Sequence, residues 1–418
     1  MKKNFFSFAA VLLLCGACTA NRPEPPPPEP PAGTKNDELT LEMELISFMH
    51  LLEFAREHYV DADEATYKKL FQGAMKGMLN HLDPFSNYDA PKDFSLMMDG
   101  SRGSFGGIGA TLGKNEKGET VLMKVMPGRP ADKAGLKKDD VILSVDGFGF
   151  QGKPLDECVG KIRGKVGTSA ILKIRRGNDP DREFVVRREV IKTPSVTNPG
   201  ILQDKIGYVK IKQFTNTTAK ELDEFLGKYG KRMDRLIIDL RFNPGGQLDV
   251  TVEALSRFLE KGLLVVSVEG RTEGTIRHES IACKKYTALP IVVLINEHSA
   301  SAAEIFSGCM KDYKRGTVVG MKSFGKGSVQ KVFPMPDGGG VRITVAKYYT
   351  PSRNVIHGKG IEPDIAVKIG ADEKKALAER FFEDDVRLPV VTEGKYRDSQ
   401  LLKAIETVKG LKEFQMIR

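Results

Sequence analysis

Two largely apolar runs, RLIIDL at 235–240 and PIVVLIN at 290–296, each give way within a few residues to a small-residue turn and then to a helical pattern. A strand buried on both faces reads as such a run, and strands alternating with helices argue for an α/β layer from Ile201 onward. NPGG turns the first run into LDVTVEALSRFLEKG, and NEHSA turns the second into SAAEIFSGCMKDYKRG. Thr218-Ala219-Lys220-Glu221 has the form of a capping box opening a helix that Gly230 can close. SVQKVF and VRITVAKYYT flank PDGGG as a hairpin.

Upstream, LEMELISFMHLLEFAREHY and YKKLFQGAMKGMLNHL carry apolar residues at helical spacing, and Asp83-Pro84 ends the second segment. Glycines then crowd 100–113, followed by the short β-like runs VLMKVM, DVILSV, AILKIRR and EFVVRR, a compact domain of short strands. The final stretch, 371–418, is charged and largely helical in pattern. At 418 residues the chain has room for two or three domains. Its net charge of +9 is spread along the chain rather than gathered into a basic arm, which argues against nucleic-acid binding.

Lys2 and Lys3 precede the apolar run FFSFAAVLLL, then Gly16, Ala17 and Cys18, and together these read as a secretory signal too short to span a membrane. The segment also resembles a bacterial lipoprotein signal, which implies lipidation of Cys18. Thr19 after that cysteine, by the same resemblance, favours the outer membrane of a Gram-negative envelope, facing the periplasm. NRPEPPPPEPPAG cannot build a core and suits a stiff tether. Cys158, Cys283 and Cys309 remain, an odd number that supplies no disulfide framework. No metal-ligand spacing appears among these cysteines and the six histidines.

GMKSFGKGS at 320–328 sets two chemistries against each other. Gly320, Gly325 and Lys326 fit most of a phosphate-binding loop, but Gly327 stands where a magnesium-binding hydroxyl belongs. A phosphate loop must also open into a helix, and GSVQKVF reads as strand. The alternative is that Lys326 is a base. Ser301 lies where a buried strand gives way to a helix, a position from which Oγ can project beside helix N–H groups, although the motif by itself favours an N-cap with Glu304 completing the box. A serine nucleophile needs a base, and at an ordinary pKa of about 10.4 roughly one lysine in two thousand is neutral at pH 7. Burial has to bring that value down, at a differential of about 4 kcal/mol. Gln330, four positions on in the predicted strand, falls on the same face and offers an uncharged amide to orient the amine. His298 precedes Ser301 by three residues but has no evident orienting acid, and is expected to face solvent.

Two resemblances follow from these residues. Gly107-Ile108-Gly109-Ala110, with Arg129-Pro130-Ala131 through Ala134-Gly135-Leu136 and Asp139-Val141-Ile142, resembles a bacterial PDZ domain, with Asp139 in place of the usual glycine. That resemblance implies carboxylate binding by Gly107, Ile108 and Gly109, strand addition of an extended peptide, and a side-chain pocket lined in part by Ile108. Ser301-Ala302-Ala303-Glu304, FGKGSVQ, GIEPD at 360–364 and RFNPGG at 241–246 are similar to the carboxyl-terminal processing peptidases, or tail-specific proteases. This likeness covers nearly the whole mature chain. It implies Ser301 as nucleophile, Lys326 as general base, Gln330 as its orienter, and the backbone N–H groups of Gly246 and Ala302 as oxyanion hole.

The expected architecture is multidomain α+β. It comprises a signal peptide at 1–18, a tether at 19–36, an N-terminal helical region at 37–98, a PDZ domain at 99–190, a Ser/Lys peptidase core at 191–370 and a helical C-terminal region at 371–418. The expected function is a periplasmic serine endopeptidase, without cofactor, that reads free apolar C-termini. An adaptor lipoprotein, self-association and a membrane held through the lipid are the further partners implied. A noncatalytic PDZ scaffold and, more distantly, a nucleotide binder are the alternatives.

Overall fold

The structure is a computed structural model that describes residues 35–411, apart from 102–103, 193, 273, 284–285, 384–387, 390 and 395. The expected signal, Cys18 and nearly all of the tether lie outside the described residues. The chain divides into two compact units, the smaller made of residues up to Phe94 together with Gln330–Val345, and the larger of Ser95–Val329 with Ala346–Arg418.

In the smaller unit, helices Lys35–His58 and Tyr67–Leu82 precede a short strand, Asn87–Asp89. Thr66 caps the second helix by accepting from the Lys69 N–H. Asp83 ends it, its carboxylate taking the N–H groups of Phe85 and Ser86 at 2.7 and 2.8 Å. The strand then pairs antiparallel with Gly340–Arg342, locked by an Arg342–Asp89 ion pair at 2.7 Å. The expected hairpin is present, strand Ser328–Pro334 pairing with Gly340–Tyr349. The first helix leaves Leu41, Met43, Leu45, Ile46, Met49, Leu51 and Phe54 exposed.

The larger unit opens with a small β-domain. Its strands Ala110–Lys114, Thr120–Val125, Val141–Val145, Ser169–Arg175 and Arg182–Arg187 are adjacent in that order and enclose Leu122, Ile142, Leu172, Ile174 and Val186. Asp139 adopts φ 67°, which explains why glycine is the usual residue there. The second sheet runs Val196–Ile201, Ile206–Ile211, Arg235–Asp239, Ile291–Ile295, Thr317–Gly320 and Ile365–Ala366, all parallel from the second strand on. The two apolar runs are its buried central strands, as expected.

Helix Ser399–Gly410 packs Leu401, Ala404 and Val408 against Tyr208, Ile237, Val292, Leu294 and Val319, so the last stretch of chain covers one face of this sheet. Helix Thr218–Tyr229 forms without the expected capping box. Thr218 Oγ1 instead accepts from the Thr215 N–H and donates to Ser195 Oγ, while Glu221 takes the N–H groups of Ser195 and Val196. Long-range donors outcompeted the local ones.

Candidate active site

Ser301 follows the central strand Ile291–Ile295 and precedes helix Ala302–Asp312. Its backbone sits at φ 55°, ψ −114°, a region that costs an ordinary residue about 1–3 kcal/mol. Neighbouring bonds hold it there. The Ser301 N–H donates to Glu304 Oε2 at 2.8 Å, and the Ala300 N–H donates to the Asn243 carbonyl at 2.9 Å. Asn296 Oδ1, one residue beyond the strand, accepts from the N–H groups of Phe242 and His298. The turn is thereby tied to the RFNPGG segment on both sides.

That segment lies directly against the Ser301 turn. A Cβ on Gly245 would meet Ser301 Cβ at 2.8 Å and the Ala302 nitrogen at 2.9 Å. Gly246 has φ 143°, and a Cβ there would fall 2.1 Å from the Phe214 carbonyl oxygen, so glycine is required on both counts. Among the described residues, the N–H groups of Gly246 and Ala302 donate to no protein acceptor. Two spare donors on adjoining backbones are what an oxyanion needs.

Glu304, read from sequence only as a cap, joins the serine to the lysine segment. Fully buried, its carboxylate accepts from the Ser301 and Lys326 N–H groups at 2.8 Å each, the Gly325 N–H at 2.6 Å and the Ser323 hydroxyl at 2.5 Å. Burial pushes its pKa up, and the four donors oppose that. The loop is held from the other side by GIEPD, where the Ile361 N–H donates to Ser323 Oγ at 2.6 Å. Gly327 packs so tightly on the backbone of His357 that a Cβ would lie 2.2 Å from its nitrogen. Its glycine serves this close approach.

Lys326 is half-buried and precedes strand Ser328–Pro334 by two residues. The alternation argument linking Lys326 to Gln330 therefore does not apply, because the strand starts after the lysine. The same strand excludes the phosphate loop, which has no helix to open into. Gln330 belongs to the smaller unit and donates through Nε2 to Thr344 Oγ1 at 3.2 Å. His298 is exposed, stacks on Phe242 and has its Nε2 3.9 Å from Glu297 Oε1. At the start of RFNPGG, the fully buried Arg241 is paired with Asp239 at 2.7 Å and Asp398 at 2.9 Å, a network the sequence reading missed.

In the β-domain, strand Ala110–Lys114 is an edge strand. Gly109 has φ 74°, and the Ile108 and Gly109 N–H groups donate to no protein acceptor among the described residues. The Ile108 side chain is in the domain core at 2% exposure, so it does not line the expected open pocket.

Residues 205–367 match the model of Peptidase family S41, and residues 96–175 match that of the PDZ domain. The carboxy-terminal-processing protease of Bartonella bacilliformis is 37% identical over 351 residues, covering 82% of this chain and 79% of its own. A Staphylococcus aureus protein described as "Probable CtpA-like serine protease" is 38% identical over 302 residues, 72% of this chain and 60% of its own length. A crystal structure described as "Putative S41 protease from Bacteroides fragilis NCTC 9343" superposes with a TM-score of 0.51 at 18% identity, covering 86% of this chain and 96% of that one, a likeness of fold.

Proposed function

Because the chain belongs to peptidase family S41 and is a serine endopeptidase of the carboxy-terminal-processing kind, we propose that it cleaves protein substrates with a Ser301/Lys326 dyad after its PDZ domain has taken hold of their free C-termini. The observation that carries the dyad is the Glu304 carboxylate, which bonds to the backbones of both residues. Neutral Lys326 accepts the Ser301 hydroxyl proton as Oγ attacks the scissile carbonyl. The N–H groups of Gly246 and Ala302 receive the oxyanion. The leaving amine takes a proton from Lys326, and water activated by the same amine then hydrolyses the acyl-enzyme. Gln330 orients the lysine.

The substrate's terminal carboxylate meets the spare N–H groups at 108–109, and its last residues add as a strand to the open edge of Ala110–Lys114. We assign the PDZ domain to 99–190, the peptidase core to 191–370, and the flanking helical regions to 37–98 and 371–418. The leader, Cys18 and the proline-rich tether support a lipid anchor in a Gram-negative envelope, with catalysis in the periplasm. Among the described residues no helix is long and apolar enough to cross a membrane. The exposed apolar side chains of helix Lys35–His58 support self-association, and an adaptor lipoprotein is the other partner the reading admits.

The test is digestion, with EDTA and without nucleotide, of an unstructured protein ending in apolar residues. The wild type is expected to cleave it, and Ser301→Ala and Lys326→Ala to fall at least about 1,000-fold. Full activity in either variant would rule out the dyad. Binding of the tail without cleavage by any form would favour a noncatalytic scaffold.

A further inference from the structure

Two glycines in a row make the backbone at 245–246 free to rotate, yet the peptide between them has to keep its N–H aimed at an oxyanion. A trans peptide points its carbonyl and its N–H in opposite directions, so the Gly246 N–H is set by where the Gly245 carbonyl goes. The Phe214 N–H holds that carbonyl at 2.9 Å, and the Gln247 N–H returns to the Phe214 carbonyl at 2.9 Å. Were this peptide to flip, a carbonyl oxygen would stand where the oxyanion forms, and the two would repel.

The peptide before it is held by Asn243. Its Oδ1 accepts from the Gly245 N–H at 2.8 Å and its Nδ2 donates to the Ile211 carbonyl at 2.8 Å, so both ends of the amide are assigned by their partners. Asn243 is fully buried, and Ile211 ends strand Ile206–Ile211, which ties the amide to the second sheet. Pro244, between Asn243 and Gly245, has a fixed φ and no N–H. The Asn243 main-chain carbonyl takes the Ala300 N–H at 2.9 Å, one residue before Ser301. Its side chain thus sets the glycine turn while its backbone steadies the Ser301 turn.

We propose that the Asn243 side chain is a positioning residue for catalysis, clamping the Gly245 peptide so that the Gly246 N–H stays aimed at the oxyanion together with that of Ala302. All of these groups belong to the larger unit. The inference rests on the proposed oxyanion hole.

The experiment reads kcat and KM for an unstructured protein substrate, and the Kd of the aldehyde and the alcohol of a peptide ending at a cleavage site mapped in that substrate. Ser301 Oγ adds to the aldehyde carbon, its proton passes to Lys326, and the former carbonyl oxygen carries the negative charge into the hole. The alcohol forms no such adduct. Asn243→Ala removes both side-chain bonds and keeps the backbone bond to Ala300. It is expected to lower kcat about 100-fold with KM within about twofold, and to weaken the aldehyde about 100-fold while the alcohol binds as before. A merely structural loss would shrink the folded fraction and leave the aldehyde Kd of the folded protein unchanged.

A wild type that binds the aldehyde no tighter than the alcohol would remove the oxyanion hole and the inference with it. A preference for the aldehyde that survives undiminished in Asn243→Ala would overturn the role of Asn243 alone. Should that variant fail to fold, amide hydrogen exchange in the wild type and in its aldehyde complex decides. In both, the Gly245 N–H is expected to exchange at least about 100-fold slower than in an unstructured chain, and the Gly246 N–H to be slowed further by the aldehyde. A Gly245 N–H exchanging at the open rate sinks the clamp, and a Gly246 N–H that the aldehyde leaves unchanged sinks the hole.

Discussion

At φ 55° Ser301 is held against its own preference, and the group that holds it is Glu304. Every partner of that carboxylate is a donor, so the isosteric Glu304→Gln turns an NH2 toward at least one of them. Turnover is expected to drop about 100-fold, as small misplacements of a nucleophile do, with tail binding by the PDZ domain intact. Fluorescence titration with a tail peptide beside steady-state kinetics checks both halves. Asp139→Gly relieves a left-handed backbone and should raise stability by about 0.5–1 kcal/mol, read as a shift in the urea midpoint.

Asp83 supplies a pH dependence. Burial raises its pKa, but the Ser86 hydroxyl, the Phe85 and Ser86 N–H groups and the Thr344 hydroxyl outweigh that and hold it below the ordinary value. A depressed carboxylate contributes stability above its unfolded pKa of about 3.9 and loses it as pH falls through the folded value. The margin of wild type over Asp83→Asn in urea should be full at about pH 5 and narrow toward about pH 3. Ser301 and Lys326 could be singled out as candidates because strand, turn and glycine lie beside them in the chain. Thr344 could not, because its partner Ser86 is 258 positions away and no local pattern encodes such a bond.

Among the elements, the segment around Asp398 does more than its charged composition suggests. Asp398 caps helix Ser399–Gly410 through the Leu401 N–H and also neutralises Arg241, two residues before Asn243, whose side chain accepts from the Gly245 N–H and fixes the glycine turn there. Asp398→Ala leaves a buried guanidinium short of a partner and is expected to cost about 3–5 kcal/mol in equilibrium unfolding. The central strands and the PDZ-like strands were readable from apolar runs and turn residues. The capping box at Thr218 was misread because Ser195, far back in sequence, offered Glu221 and Thr218 better partners. Arg241 was visible in a motif, yet its second carboxylate lies 157 positions on.

For the whole molecule, amidating the substrate's C-terminus removes the charge that the 108–109 loop is proposed to read, and KM should rise by at least about 10-fold with kcat little changed. The division of the chain has a consequence for biosynthesis. Helices Lys35–His58 and Tyr67–Leu82 are made early, but the segment that completes their unit ends at Val345, about 260 residues after the second helix. At roughly 5–20 residues per second, ribosomes leave those helices waiting for about 12–50 seconds. During that interval the two helices lack the strands that complete their unit, so the unit begun first stays open through most of the synthesis of the chain.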